Sequence, residues 1–324
     1  MRRSIRQIYA IAQQTAAESL RQQLFVVLLL LVAGLLILNP SLSKFTLDDD
    51  NKLLIDLGMS TILLGGLVLA TFSAAATIRR EIEQGTLLTV ATKPIGRGVH
   101  LLGKYCGIAA SSTLAVWIWI VIHLLCLRHG VLQTARDPLD GPVLTFAGAA
   151  TLLAFAWAVG GNYFLSRHFG ASLAKALAPL LTLAYVAVLL VGKGWKFQDF
   201  TTDFELQTLF ALALLLQTTW LFCALALCAA TRLGQVSTLL VCLLVFLAGL
   251  SSDYFFGRLA VSSGWASFVY SVVPNMQFLW LADALTQEHT VSGRYLGLAS
   301  IYATCFTLAA IAFAACLSKR EVAR

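Results

Sequence analysis

Charge is scarce in this sequence. Asp, Glu, Lys and Arg together supply 12% of its 324 residues, while 59% are hydrophobic. A soluble domain carries about 25% charged residues, so the scarcity excludes an ordinary soluble fold. Long polar stretches are missing as well, which leaves no room for a separate soluble domain. Cysteine pairs are absent. The seven Cys (106, 126, 223, 228, 242, 305 and 316) lie in or beside apolar runs, their number is odd, and no C-x-x-C occurs. Neither a disulfide framework nor a metal site is implied, and these side chains read as small buried hydrophobes. His100, His123, His129, His168 and His289 stand apart from acids and cysteines at ligand spacing. His123, about one turn from the end of its apolar run, reads as a packing residue. No Ser/His/Asp grouping suggests hydrolysis, so no catalytic, cofactor or metal residue is nominated and the chain is read as a non-enzyme. Acids are also missing from the centres of the apolar runs. Proton- and sodium-coupled carriers keep such groups at mid-membrane, which makes secondary transport a weak reading.

Long apolar runs are what the sequence does contain. A bilayer core of roughly 30 Å needs about 20 apolar residues per helix, and mean hydropathy is +0.81. The expected fold is all-α, a polytopic integral membrane protein with about eight transmembrane helices. Spans are expected at 22–39, 57–77, 105–127, 143–165, 172–191, 206–230, 235–250 and 297–317. Asn39-Pro40 should end the first span, Gly65-Gly66 and Ala74 to Ala76 should allow close helix contact in the second, and Pro179 should kink the fifth. Residues 3–21 carry Ile5, Ile8, Tyr9, Ala12, Ala16 and Leu20 at three- and four-residue steps, the pattern of a helix lying in the membrane interface. The first apolar run begins only near Leu24 and no small-residue cleavage site follows it, so a cleaved signal peptide is not expected. Residues 251–296 interleave Phe255, Phe256, Trp265, Phe268, Tyr270, Phe278 and Trp280 with Ser, Gly and Pro274. They read as short outer-face helices that lie on the membrane or re-enter it.

Net charge is +7. In a chain of spans it bears on orientation, and no nucleic acid partner is expected. Eight spans put both ends of the chain on one side. That side would hold 15 Lys/Arg (2, 3, 6, 21, 79, 80, 93, 97, 104, 167, 175, 232, 319, 320, 324) and four acids (18, 81, 83, 321). The other 8 Lys/Arg and 12 acids fall opposite. The positive-inside rule makes the first side cytoplasmic, with both termini there and Asp49 and Asp199 outside.

The longest polar interruption, 78–104, falls on that cytoplasmic side. Arg79, Arg80, Glu81 and Glu83 close one apolar run. Gly85-Thr86 and a short apolar helix over 87–91 follow, then Lys93-Pro94, and Arg97 and Lys104 lead into the next run. Lys93, Arg97 and Lys104 would anchor the exit at lipid headgroups. Such a segment suits a helix on the membrane surface that a soluble partner pushes on. Glu81 and Glu83 carry two readings: acids favoured by a helix dipole, or contacts to a basic groove on that partner. Gly98 to Lys104 matches G-x-x-x-x-G-K, but Tyr105 replaces the Ser or Thr that would hold Mg²⁺ and no strand precedes it. The chain is therefore not itself expected to bind ATP.

Four stretches carry a family resemblance: Ile55-Asp56-Leu57-Gly58, Arg79 to Thr86, Lys93-Pro94-Ile95-Gly96-Arg97, and Leu102 to Gly107. Glu18 to Arg21, Val273 to Phe278, Asp283-Ala284-Leu285 and Lys319-Arg320-Glu321 add to it. Their order resembles ABC-2 type transporter permeases, in the branch that includes the permease of nitrous oxide reductase maturation. The resemblance implies a single transmembrane permease domain over 1–324 and a six-span core, which makes 143–191 an extra hairpin. It implies an ATP-binding cassette transporter, an exporter by preference, in a bacterial-type inner membrane. ATP and Mg²⁺ would be held by separate ATPase subunits, with a second permease copy or paralogue and periplasmic or envelope accessory proteins as further partners. The coupling contacts would be Arg80, Glu81, Glu83, Gly85, Thr86, Lys93, Pro94 and Arg97, with Pro274, Asn275 and Phe278 in the outer segment. The alternative reading is a membrane scaffold for an envelope assembly complex that transports nothing.

Overall fold

A computed structural model describes residues 2–43, 50–83, 96–131, 139–260, 263–287 and 289–317. The described chain is helical throughout. Its order is α1 (Arg2–Leu20), α2 (Gln23–Ser43), α3 (Asp50–Glu83), α4 (Arg97–His129), α5 (Gly141–Leu165), α6 (Phe169–Leu190), α7 (Leu206–Ala230), α8 (Gln235–Ser252), α9 (Gly264–Val272), α10 (Ala282–Thr286) and α11 (Gly293–Leu317). Among the described residues the sole β pairing is a bridge between Val191 and Phe197. Among the described residues eight helices, α2 to α8 and α11, are long and apolar enough to cross a membrane. Expected spans and observed helices coincide because helix formation in lipid is a local matter: every backbone group must find its partner within the segment.

The differences have identifiable causes. α2 does not stop at Asn39-Pro40 but runs on to Ser43. Proline lacks the N–H that would bond the carbonyl four residues back, here that of Leu36. The Cys126 thiol of α4 donates to that carbonyl at 3.5 Å, so a neighbouring helix supplies the missing donor. α6 runs through Pro179, inside the span expected there. α3 and α4 run past their apolar cores, to 34 and 33 residues, because Thr77 to Glu83 and Arg97 to Lys104 remain helical. Residues 251–296 are short helices as expected: a π-helical turn at Asp253–Gly257, α9, a 3-10 turn at Met276–Leu279, and α10.

α4 is the central helix. Its small residues Gly103, Gly107, Ser111, Ser112 and Ala115 are buried, and α1, α2, α3, α6, α7 and α11 all pack on it. Gly65 and Gly66 make the close contacts expected of them. A Cβ on Gly65 would meet Val32 of α2 at 2.8 Å, and one on Gly66 would meet the Thr219 hydroxyl of α7 at 2.6 Å. Indole N–H groups add directional ties: Trp119 to the Leu29 carbonyl (3.0 Å), Trp117 to Thr182 (2.9 Å) and Trp220 to Thr113 (2.8 Å). Inter-helix hydrogen bonds of this kind contribute about 0.6–2 kcal/mol each in a membrane.

Residues 143–191 form the hairpin α5–α6 at the edge of this bundle. α6 holds it there: Gly170 lies against Val26 of α2, and Thr182 receives the Trp117 bond. α5 packs mainly on α6, through a stripe of Ala150, Ala154 and Ala158. Its remaining surface, including Leu152, Phe155 and Phe164, is exposed and apolar, as a lipid-facing helix requires.

Candidate functional site

The sequence singles out the segment that joins α3 to α4. Gly85, Thr86, Lys93, Pro94 and the expected short helix at 87–91 lie outside the described residues, as does the side chain of Glu83. The helices on either side are described. Arg79 is exposed and Arg80 half-buried at the end of α3, and Arg97 is exposed at the start of α4.

Glu81 and Lys104 tie these two helices together. The Lys104 ammonium and the Glu81 carboxylate form an ion pair, and His100 Nε2 lies 3.1 Å from the other Glu81 oxygen. Lys104 is only 2% exposed, so it does not reach the headgroups as its position in the sequence suggested. Burial explains the partnership: an ammonium taken out of water must be paired, and α3 brings Glu81 to it across 23 residues of sequence. Glu18 of α1 stands within electrostatic range of the same lysine. Residues 98–104 are fully helical, which removes the loop that a phosphate cradle needs.

α1 completes the region. Ile5 and Tyr9 are exposed on one side of it. Its opposite side, with Ile11, Thr15 and Ser19, packs on α4. Contact is closest at Gly103 and Gly107, a G-x-x-x-G pair. A Cβ on Gly107 would lie 2.6 Å from the Ala12 carbonyl oxygen, and one on Gly103 would lie 2.8 Å from Ile11. Small residues four apart let two helix backbones approach in this way. The spacing G-K-Y-C-G was visible in the sequence, but nothing there named α1 as its partner.

The opposite end of α4 carries a second cluster that sequence reading missed. Arg128 donates a hydrogen bond to Asp140 at 3.0 Å through a terminal guanidinium nitrogen and forms an ion pair with Asp203, whose carboxylate lies 3.1 Å from Nε. Asp140 is fully buried and also caps α5 by accepting from the Val143 N–H at 3.3 Å. The Pro274 segment is clipped into place elsewhere in the bundle. The Asn275 N–H donates to the Tyr302 hydroxyl (2.7 Å), the Asn275 side-chain oxygen accepts from the Gln277 N–H (2.9 Å), and Phe278 stacks edge-on against Tyr302. The Pro274 carbonyl sits where a Cβ on Gly249 would be. Pro274, Asn275 and Phe278 thus join the end of α8 to the start of α11. Tyr270 donates to Asp253 at 2.9 Å, and that bond to the carboxylate raises its phenol above the ordinary range.

His123 is buried as a packing residue should be, with its ring against Gly58. Both ring nitrogens lack a hydrogen-bond partner among the described residues. Among those residues no group of three or more His, Cys, Asp or Glu could hold a metal ion. No protein-family model matches the chain, and no curated protein matches it.

Proposed function

We propose that this chain is the membrane-spanning permease subunit of an ATP-binding cassette transporter, working as an exporter. Separate ATPase subunits would bind ATP and Mg²⁺, close on one another, and press on residues 84–95. The observation that carries the reading is the junction of α3 and α4. Each helix runs about 50 Å at 1.5 Å per residue, well beyond a hydrocarbon core of roughly 30 Å. Their projecting ends are clasped by Glu81, Lys104 and His100 and backed by α1. A push on the segment between them would move two helices as one stiff lever, with α4 carrying the motion into the centre of the bundle. The excess of Lys and Arg on this end favours the cytoplasm, where nucleotide is available. That orientation belongs to an inner membrane with both termini inside. The transporter would contain a second permease copy or paralogue, with envelope proteins as further partners.

Glu81 fits the lever better than the docking surface, because its carboxylate is turned to Lys104 and His100. Glu83 and Arg97 remain the charged candidates for partner contact. The test replaces residues 84–95 with a Gly/Ser segment of equal length in the full chain. Recovery of the ATP-hydrolysing subunit from membranes should be lost, while the thermal unfolding midpoint of the purified chain in detergent stays unchanged. Undiminished recovery with normal ATP turnover would sink the reading and favour a scaffold.

A further inference from the structure

A cleft of about 820 Å³ opens between the α1–α2 turn and the α5–α6 hairpin. Arg21, Arg167, His168 and Lys175 line it, with no carboxylate among its lining residues. The three permanent cations come from three separate segments: the α1–α2 turn, the α5–α6 turn and the first part of α6. None of them makes an ion pair among the described residues. Basic side chains scattered on a membrane protein reach for headgroups one at a time. Here they converge on a single cavity.

The turns that present them are fixed. Arg21 donates its backbone N–H to the Glu18 carbonyl at 3.2 Å. Ser166 takes a left-handed conformation, φ 50°, which turns the chain sharply before Arg167. Arg167 is then held from both sides: its N–H donates to the Gly161 carbonyl (3.1 Å) and its own carbonyl accepts from the Asn162 amide (2.8 Å). α6 begins at the cleft with no side-chain cap from His168, so its first N–H groups add a positive dipole end to the same space.

The rest of the wall is apolar. Leu153 and Trp157 of α5 and Leu180 of α6 line it, continuous with the exposed apolar surface of α5. A free anion in water has no use for such a wall, whereas a phospholipid has both a phosphate and acyl chains. We propose that this cleft binds an anionic phospholipid, with its phosphate among Arg21, Arg167 and Lys175 and its chains along Leu153, Trp157 and Leu180. The inference stands apart from the transport reading, since it needs only a membrane-spanning chain.

The test uses the purified full chain in nanodiscs and native mass spectrometry of the lipids that remain bound after detergent extraction. In discs mixing phosphatidylglycerol with phosphatidylcholine, phosphatidylglycerol should be retained selectively and should raise the thermal unfolding midpoint. Neutralising single cations (Arg21→Gln, Arg167→Gln, Lys175→Gln) should weaken retention about fivefold each. Arg6→Gln, an exposed cation on α1 outside the cleft, should change nothing. Equal retention of phosphatidylcholine by the wild-type chain would overturn the proposal without recourse to any variant. So would equal stabilisation by inorganic phosphate or glycerol 3-phosphate alone, which would mark a site for free anions. Loss of selectivity on Arg6→Gln equal to that on Lys175→Gln would reduce the effect to overall surface charge.

Discussion

The two ends of α4 solve the same problem with different charge balance. At its start a buried lysine meets one carboxylate, Glu81, with His100 sharing it. At its far end a buried arginine meets two carboxylates, Asp140 and Asp203. The first cluster sets one cation against one carboxylate and joins two long helices on either side of the segment proposed to take a push. The second leans negative and joins α4 to the start of α5 and to the chain before α7. The geometry of the cations matches these tasks. A guanidinium presents several donors in a fixed fork and can hold two acids from different segments at once. An ammonium is a point charge on a flexible stem, which suits a single contact that follows a moving partner. α4 is thus held at its far end by a guanidinium contact to two segments and at its start by an ammonium contact to one.

The sharpest way to break that contrast is Arg128→Met. It leaves Asp140 fully buried with its counter-charge gone, and breaking a buried pair in this manner costs about 3–5 kcal/mol. A large fall in the unfolding midpoint in detergent is expected, together with protease sensitivity around the α5 start. A change no larger than that of an exposed control would show that the far end is not held in this way.

Lys104→Met should cost less, about 2–3 kcal/mol, because Glu81 keeps His100 and is 19% exposed. The double change Glu81→Gln with Lys104→Met should be more stable than Lys104→Met alone, since the carboxylate left behind is what costs. Additive losses in this double-mutant cycle would mean that the two side chains do not act as a pair. If the cluster serves a lever, the double variant should retain the ATPase subunit yet lose the coupling of hydrolysis to transport.

Gly107→Ala tests the support that α1 gives to the clasped end. The added methyl has no space beside the Ala12 carbonyl, and overpacking of this kind costs about 1–2 kcal/mol. Disulfide trapping between cysteines placed on the facing sides of α1 and α4 should fall relative to the parent chain. Unchanged trapping and stability would place α1 away from α4 in the membrane. The smallest effect is expected at Tyr270→Phe, which removes the bond to Asp253 among the short helices after α8. A loss of about 0.5–1 kcal/mol is expected, visible as a small midpoint shift, and a larger loss would count against so small a role for that bond.

Some of this molecule was open to a reader of the sequence. The eight apolar helices, the break into short helices after Ser252 and the unequal charge of the two ends follow from composition and run length. Gly65 and Gly66 announced close packing and have it. The Pro40 expectation failed for a reason that no local rule contains, because the donor that rescues the Leu36 carbonyl is Cys126, on another helix. The hairpin at 143–191 was visible as two spans, while the face it rests on was not, since its alanine stripe and Gly170 fit many neighbours equally well.

The candidate site divides along the same line. That residues 78–104 form a charged junction between two spans was legible, because a charge run between apolar runs cannot enter the hydrocarbon. Which charges pair was not: Glu81 and Lys104, or Arg128 and Asp203, are brought together by helix packing, and sequence separation says nothing about it. The cleft of Arg21, Arg167 and Lys175 belongs to the same class, three cations from three segments that share a cavity only after α6 has docked. A helix in a membrane satisfies its own backbone, so sequence alone determines that it forms and roughly where it lies, though not its last turn. The contacts between helices depend on small differences in shape among apolar surfaces and on a few polar groups that must find each other, and only the tertiary structure decides those.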